Sequence, residues 1–187
     1  MPTHVALLRG INVGGGGKVP MAELRTLVTS LGHGEVSTYI QTGNIIFTPG
    51  HDDSAALAAE LEASIAEMFG VRTTAVVLSK AELGRVISAN PYPDEPELRY
   101  VHGVFLPSDP DQALRTRVAE ATELAASRGS RDEATIVGRT LYLHTPDGFG
   151  TSELARDLLL NRRGNPLAAA TARNWATITK LAALCDG

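Results

Sequence analysis

The chain has 187 residues, 43% of them hydrophobic but only 5% aromatic, and a formal charge of −4. That length exceeds a common single domain and falls short of two full ones, so one body or two small subdomains is expected, packed mainly by Leu, Val, Ile and Ala. The apolar content excludes wholesale disorder, and the acidity argues against a dedicated duplex-DNA binder, which needs many phosphate contacts.

Val5–Ile11 reads as a buried strand, followed by the loop Asn12-Val-Gly-Gly-Gly-Gly-Lys18. Pro20 suits the first position of a helix that buries Met21, Leu24, Leu27, Val28 and Leu31 and stops at Gly32. Val36–Ile40 and Ile45–Thr48 are strand-like runs joined by Gln41-Thr-Gly-Asn44, a hairpin signal. A second helix starts near Ser54 as N-cap, with Leu57, Leu61, Ile65 and Met68 inward, and ends at Gly70; Thr74–Leu78 is the next strand. The order β-α-β-β-α-β predicts a ferredoxin-like arrangement, with two helices on one face of an antiparallel sheet and the other face left to be buried or used.

Lys80–Ala89 reads as a short helix, and the proline-rich connector Asn90–Pro96 sets the expected boundary between subdomains 1–90 and 91–187. The pattern then returns: strand Tyr100–Leu106; a helix over about 110–127 with Leu114, Val118, Ala121 and Leu124 inward; strands Ala134–Val137 and Thr140–His144; and a helix over about 152–161. Thr171 is read as the cap of a last helix reaching about Leu184, with Trp175, Ile178, Leu181 and Ala182 inward. The expected class is α/β of the α+β kind, two ferredoxin-like subdomains with antiparallel sheets covered by helices.

The apolar runs are too short to cross a bilayer, and no basic stretch precedes them at the N-terminus, so no membrane association and no signal peptide are expected. A single Cys185 near the end cannot form an internal disulfide, which fits a cytoplasmic location. His4, His33, His51, His102 and His144 lack ligand spacing, so no metal and no cofactor is expected.

Four glycines before Lys18 invite a phosphate-loop reading. A Walker A loop would need glycine where Asn12 stands and Ser or Thr where Val19 stands, and a dinucleotide fingerprint would need a glycine at Val19 or Pro20. What remains is a loop with free backbone N–H groups entering a helix, which favours anions, or an ordinary surface loop. Arg9, in an apolar run, needs a partner or an opening. Tyr39, Gln41, Thr42 and Asn44 flank the first hairpin and serve either a ligand or the turn itself. On a helix beginning at Thr171, Arg173, Thr177 and Lys180 share one face beside Asn174 and Trp175, suited to an anion or to solvent.

Leu8-Arg-Gly-Ile-Asn-Val-Gly-Gly15, Tyr39-Ile-Gln-Thr-Gly-Asn-Ile45, Leu143-His-Thr-Pro-Asp-Gly148 and Thr171-Ala-Arg-Asn-Trp-Ala-Thr-Ile-Thr-Lys-Leu181 resemble the signature segments of the bacterial domain-of-unknown-function family 1697. The resemblance implies a two-subdomain α/β fold and no established activity. It departs at Ser152-Glu153, where a Ser-Lys pair is expected, which puts in doubt any anion-holding role there. It favours a shared groove of Arg9, Asn12, Lys18, Tyr39, Gln41, Thr42, Asn44, Arg173, Asn174 and Lys180 around a phosphate-bearing small molecule such as a nucleotide. Two alternatives stand beside it. One is single-stranded nucleic acid stacked on Tyr39 and Phe47; the other is an enzyme acting through hydrogen bonding and charge stabilisation.

Overall fold

The computed structural model describes residues 1–14, 17–160 and 164–186. Gly15 and Gly16 of the glycine-rich loop, position 161 at the expected end of the fifth helix, and Arg162 and Arg163 lie outside the described residues. The chain divides into two compact units, Met1–Arg85 with Thr179–Gly187, and Val86–Ile178.

In the first unit the strands are β1 (His4–Leu8), β2 (Gly34–Tyr39), β3 (Asn44–Thr48) and β4 (Ala75–Ser79), and the helices are α1 (Met21–Ser30) and α2 (Ser54–Phe69). The sheet order β2-β3-β1-β4, antiparallel throughout, is the ferredoxin-like one. Alternate strand residues Ala6, Leu8, Ile45, Phe47, Ala75 and Val77 meet Leu24 and Val28 of α1 and Leu57, Leu61 and Ile65 of α2 in one core. Their neighbours Val5, Leu7, Ile46, Val76 and Leu78 are buried as well, so the second face of these strands is not free. Asp53, not Ser54, caps α2, accepting from Ala55 N and Ala56 N at 3.0 Å. Met68 is exposed and Phe69 packs instead, four residues beyond Ile65.

A short helix α3 (Lys80–Ser88) leads to the second unit, which holds β5 (Val101–Phe105), α4 (Gln112–Ser127), β6 (Glu133–Val137), β7 (Thr140–His144), α5 (Glu153–Leu159) and β8 (Thr171–Asn174). The last helix, α6 (Trp175–Asp186), begins in this unit and ends in the stretch that completes the first. The order β6-β7-β5-β8 repeats that of the first sheet. Val104, Leu141 and Leu143 face Leu114, Val118 and Ala125 of α4 and Leu154, Ala155 and Leu158 of α5. Leu124, expected inward, is exposed, and Ala125 takes the core position. On the opposite face Tyr142 lies 6.0 Å from Trp175, ring to ring, and donates its hydroxyl to Val86 O at 2.7 Å.

The last helix also starts later than expected. Residues 171–174 are a strand and not the start of a helix, because they pair with β5 (Arg173 opposite Gly103) and complete the second sheet. The helix begins one residue later, where Asn174 Oδ1 accepts from Thr177 N at 2.8 Å as an N-cap. Arg173, Thr177 and Lys180 therefore do not share a helical face. Arg173 is a strand residue, Thr177 is buried and Lys180 is exposed.

Candidate functional site

Among the residues singled out from sequence, those before residue 45 gather at one end of the first sheet. β1 ends at Leu8, earlier than expected, because the backbone turns through left-handed conformations at Gly10 (φ 65°) and Asn12 (φ 55°). Arg9 lies just past the strand, half-buried. Its N–H donates to Thr74 O at 2.9 Å and Thr73 Oγ1 at 3.2 Å, and burial depresses the guanidinium pKa.

Asn12 ties the two ends of the glycine-rich loop together. Its Nδ2 donates to Val19 O (2.8 Å) and Gln41 O (3.0 Å), its Oδ1 accepts from Val19 N (2.8 Å), and its N–H donates to Gly17 O (3.0 Å). The hairpin loop over 40–43 is held from the other side. Asn44, fully buried, donates through Nδ2 to Tyr39 O (3.0 Å) and Thr42 Oγ1 (3.2 Å), and Leu8 N donates to Gly43 O (2.8 Å). Two loops distant in sequence are thus joined by the Asn12 side chain and by the Leu8–Gly43 backbone bond, and Asn44 braces the second loop from within. Asn12, Thr42 and Asn44 build the platform.

Other groups are left over. Lys18 and Gln41 are exposed, and among the described residues neither side chain has a hydrogen bond or ion pair; Tyr39, two residues before Gln41, is half-buried. Ile40, expected only as the end of a strand, is a β-branched residue at φ 52° with 47% of its surface exposed, and Val13 is also 47% exposed. An isoleucine in the left-handed region costs roughly 1–2 kcal/mol, so it needs surroundings that over-determine it. The hydrogen bonds to Tyr39 O and Gln41 O, on either side of Ile40, provide them.

Arg173 and Asn174 belong to the second unit and have local duties. The Arg173 guanidinium, 9% exposed, donates to Thr171 Oγ1 (2.9 Å) and Ala172 O (2.8 Å), and burial pushes its pKa down to about 10. Asn174 caps α6. Lys180 is exposed on α6.

The second unit carries its own open cleft, about 320 Å³, lined by Arg128, Ser130, Asp132, Asp147, Thr151 and Ser152 among others. Its charges are internally matched. Buried Ser152 donates from Oγ to Asp132 Oδ2 at 2.8 Å and accepts from Ala155 N at 2.9 Å, Arg131 makes a two-pronged bond to Asp147, and Glu153 lies 3.8 Å from Arg128 and 3.7 Å from Arg156. Glu153, in the place of an expected lysine, is therefore a partner for arginines. Among the described residues no group of three or more His, Cys, Asp or Glu could hold a metal ion, and none of their helices is long and apolar enough to cross a membrane.

Phe47 does not serve the nucleic-acid alternative. It is fully buried, its ring 5.2 Å from that of His33, so it cannot stack a base.

Comparison with known proteins agrees with this architecture. A family model described as a protein of unknown function, DUF1697, matches residues 1–142. A solved structure, the conserved bacterial protein SP0830 from Streptococcus pneumoniae, is 25% identical, with 98% of each chain covered and a TM-score of 0.71. No curated protein matches.

Proposed function

We propose, for a chain that belongs to the family of unknown function DUF1697, that it binds a phosphate-bearing small molecule such as a nucleotide at the loop end of its first unit. One observation carries the reading. The Asn12 amide joins the glycine-rich loop to the hairpin loop and the Asn44 amide braces the hairpin loop from within, while the exposed side chains of Lys18 and Gln41 on those same loops have no hydrogen bond or ion pair among the described residues. A rigid backbone that presents an ammonium and an amide is pre-organised for an anion with a polar substituent, because the ordering cost is met in folding and not on binding. Arg9, which shares the loop with Asn12, adds a second positive charge. A cytoplasmic setting, where such metabolites are abundant, suits the reading.

Thermal denaturation in the presence of AMP, ATP, ribose 5-phosphate, pyrophosphate and inorganic phosphate tests it. At least one should raise the midpoint, since a ligand bound to the folded state stabilises it by mass action. Lys18→Ala and Gln41→Ala should each weaken that ligand about fivefold, roughly one charge-assisted contact, and leave the unliganded midpoint where it was. If no compound shifts the midpoint, or if both variants bind as wild type does, the loops are only scaffold.

A further inference from the structure

We infer that Ile40 is the apolar contact of this site and that its ligand is a nucleoside phosphate, not a bare phosphate or a sugar phosphate; the inference rests on the reading just given. Left-handed backbone is ordinary for most of its neighbours. Gly10, Gly14 and Gly43 carry no Cβ, and Asn12 is of the type that tolerates a positive φ. Glu35, also at positive φ, sits where the β2–β3 register shifts, and its carboxylate is engaged by the N-terminal ammonium and Thr48. Ile40 has neither excuse. A branched Cβ is the least suited to φ 52°, and core packing does not require the side chain, which is 47% exposed.

The residue is nonetheless held rigidly. Asn44 Nδ2 grips the carbonyl before it (Tyr39 O, 3.0 Å) and Asn12 Nδ2 grips the carbonyl of the residue after it (Gln41 O, 3.0 Å). Strain that the surroundings enforce, on a side chain presented to water, is the pattern expected of a pre-formed contact and not of a folding element. Its chemistry is specific. Val13, equally exposed, follows Asn12, whose Nδ2 is bonded to the backbone carbonyl of Gln41, the residue after Ile40, so the two loops joined by that bond each present an exposed aliphatic residue. Lys18, between Gly17 and Val19, whose backbone groups bond to Asn12, supplies the cation. Aliphatic surface beside an amide and an ammonium matches a flat, weakly polar ring with hydrogen-bonding edges joined to a phosphate, which describes a nucleotide. An inorganic anion has nothing to place on Ile40.

The test is calorimetric titration of wild type, Ile40→Gly and Ile40→Asn with AMP, ribose 5-phosphate and inorganic phosphate, beside thermal denaturation of each unliganded protein. Glycine and asparagine both accept the left-handed conformation, so both variants should melt at or above the wild-type temperature. AMP should bind either variant about tenfold more weakly, the loss expected for one aliphatic contact, while phosphate and ribose 5-phosphate affinities change by less than about twofold. Equal losses for all three ligands, no loss for AMP, or a marked fall in melting temperature in both variants overturns the inference while leaving the anion site standing. Wild-type protein that binds none of the three overturns both readings together.

Discussion

Gly43 gives the sharpest test of how the loop platform is built. A Cβ at this position, at φ 80°, would lie 2.7 Å from Leu8 Cβ and 2.8 and 3.0 Å from Ile11 Cδ1 and Cγ1. Those atoms cannot yield cheaply, because Leu8 is fully buried and Ile11 is 1% exposed. Gly43→Ala therefore adds about 1–2 kcal/mol of left-handed strain to about 1–3 kcal/mol of overpacking, less up to about 1 kcal/mol regained from a stiffer unfolded chain. The net cost is about 2–4 kcal/mol, a fall of roughly 5–15 °C in melting temperature for a chain of this size. Gly10→Ala is the control. Gly10 has φ 65° but nothing within 4 Å of the added methyl, so it carries the strain alone and should cost about 1 kcal/mol or less. Urea denaturation followed by circular dichroism measures both. Amide exchange at Leu8, whose N–H donates to Gly43 O at 2.8 Å, shows whether the damage is local to the loops. Equal destabilisation by the two substitutions would refute the claim that the hairpin loop is packed directly onto the β1 loop.

Two further predictions concern the second unit. Ser152→Ala removes both the acceptor for Ala155 N and the donor to Asp132 Oδ2, leaving a carboxylate of a residue only 6% exposed without its hydroxyl partner; thermal denaturation should report a loss of about 2–4 kcal/mol. Adding Asp132→Asn should cost less than the sum of the single changes, and strict additivity would show that the pair is not coupled. His102 stacks on Phe149 with ring centroids 3.9 Å apart, its Nδ1 is buried without a hydrogen-bond partner among the described residues, and burial pushes its pKa down to about 4. The folded state resists a proton that the unfolded state takes up near pH 6.5, so stability present above pH 6.5 is lost as the pH falls toward 4 and no further below it, about 3 kcal/mol in all. His102→Phe should flatten that limb of the urea-midpoint curve between pH 7 and 4; parallel curves for the two proteins would dispose of the argument.

The fold was legible in the sequence wherever periodicity and punctuation agreed. Leu57, Leu61 and Ile65 mark the buried stripe of α2, Gly70 stops it at φ 66°, and the short connector Gln41–Asn44 marks the hairpin of the first sheet. It was misleading where a strand has no local signature. Thr171-Ala-Arg-Asn174 adjoins a helical stripe and contains a good capping residue at each end, so propensity alone extends the helix backward. Pairing with β5 settles it as strand, an interaction with residues about seventy positions earlier that no local window contains. Likewise Val5–Ile11 is apolar enough to read as one strand, and only the left-handed turn at Gly10 ends it at Leu8.

For the candidate site the sequence exposed the polar groups but not their division of labour. An asparagine beside a glycine-rich turn is equally suited to a ligand and to the turn, and what decides is how many backbone groups come within its reach. Asn12 reaches Val19 and Gln41 because its own φ is positive; Asn44 reaches Tyr39 and Thr42 because the intervening loop closes through Gly43. Those long-range juxtapositions consume the amides. Lys18 and Gln41 are what remains, and Ile40 is the inverse case, a residue whose type looked unremarkable and whose conformation is not. This division has a consequence that separates platform from contact. Asn12→Ala and Asn44→Ala should lower stability and ligand affinity together, since each leaves backbone carbonyls without donors, at about 1–3 kcal/mol apiece. Lys18→Ala and Gln41→Ala should lower affinity alone, and Ile40→Gly should move affinity and stability in opposite directions. Three responses from one loop cluster are hard to obtain from a surface loop with no ligand, where affinity has no meaning and only the stability column would change.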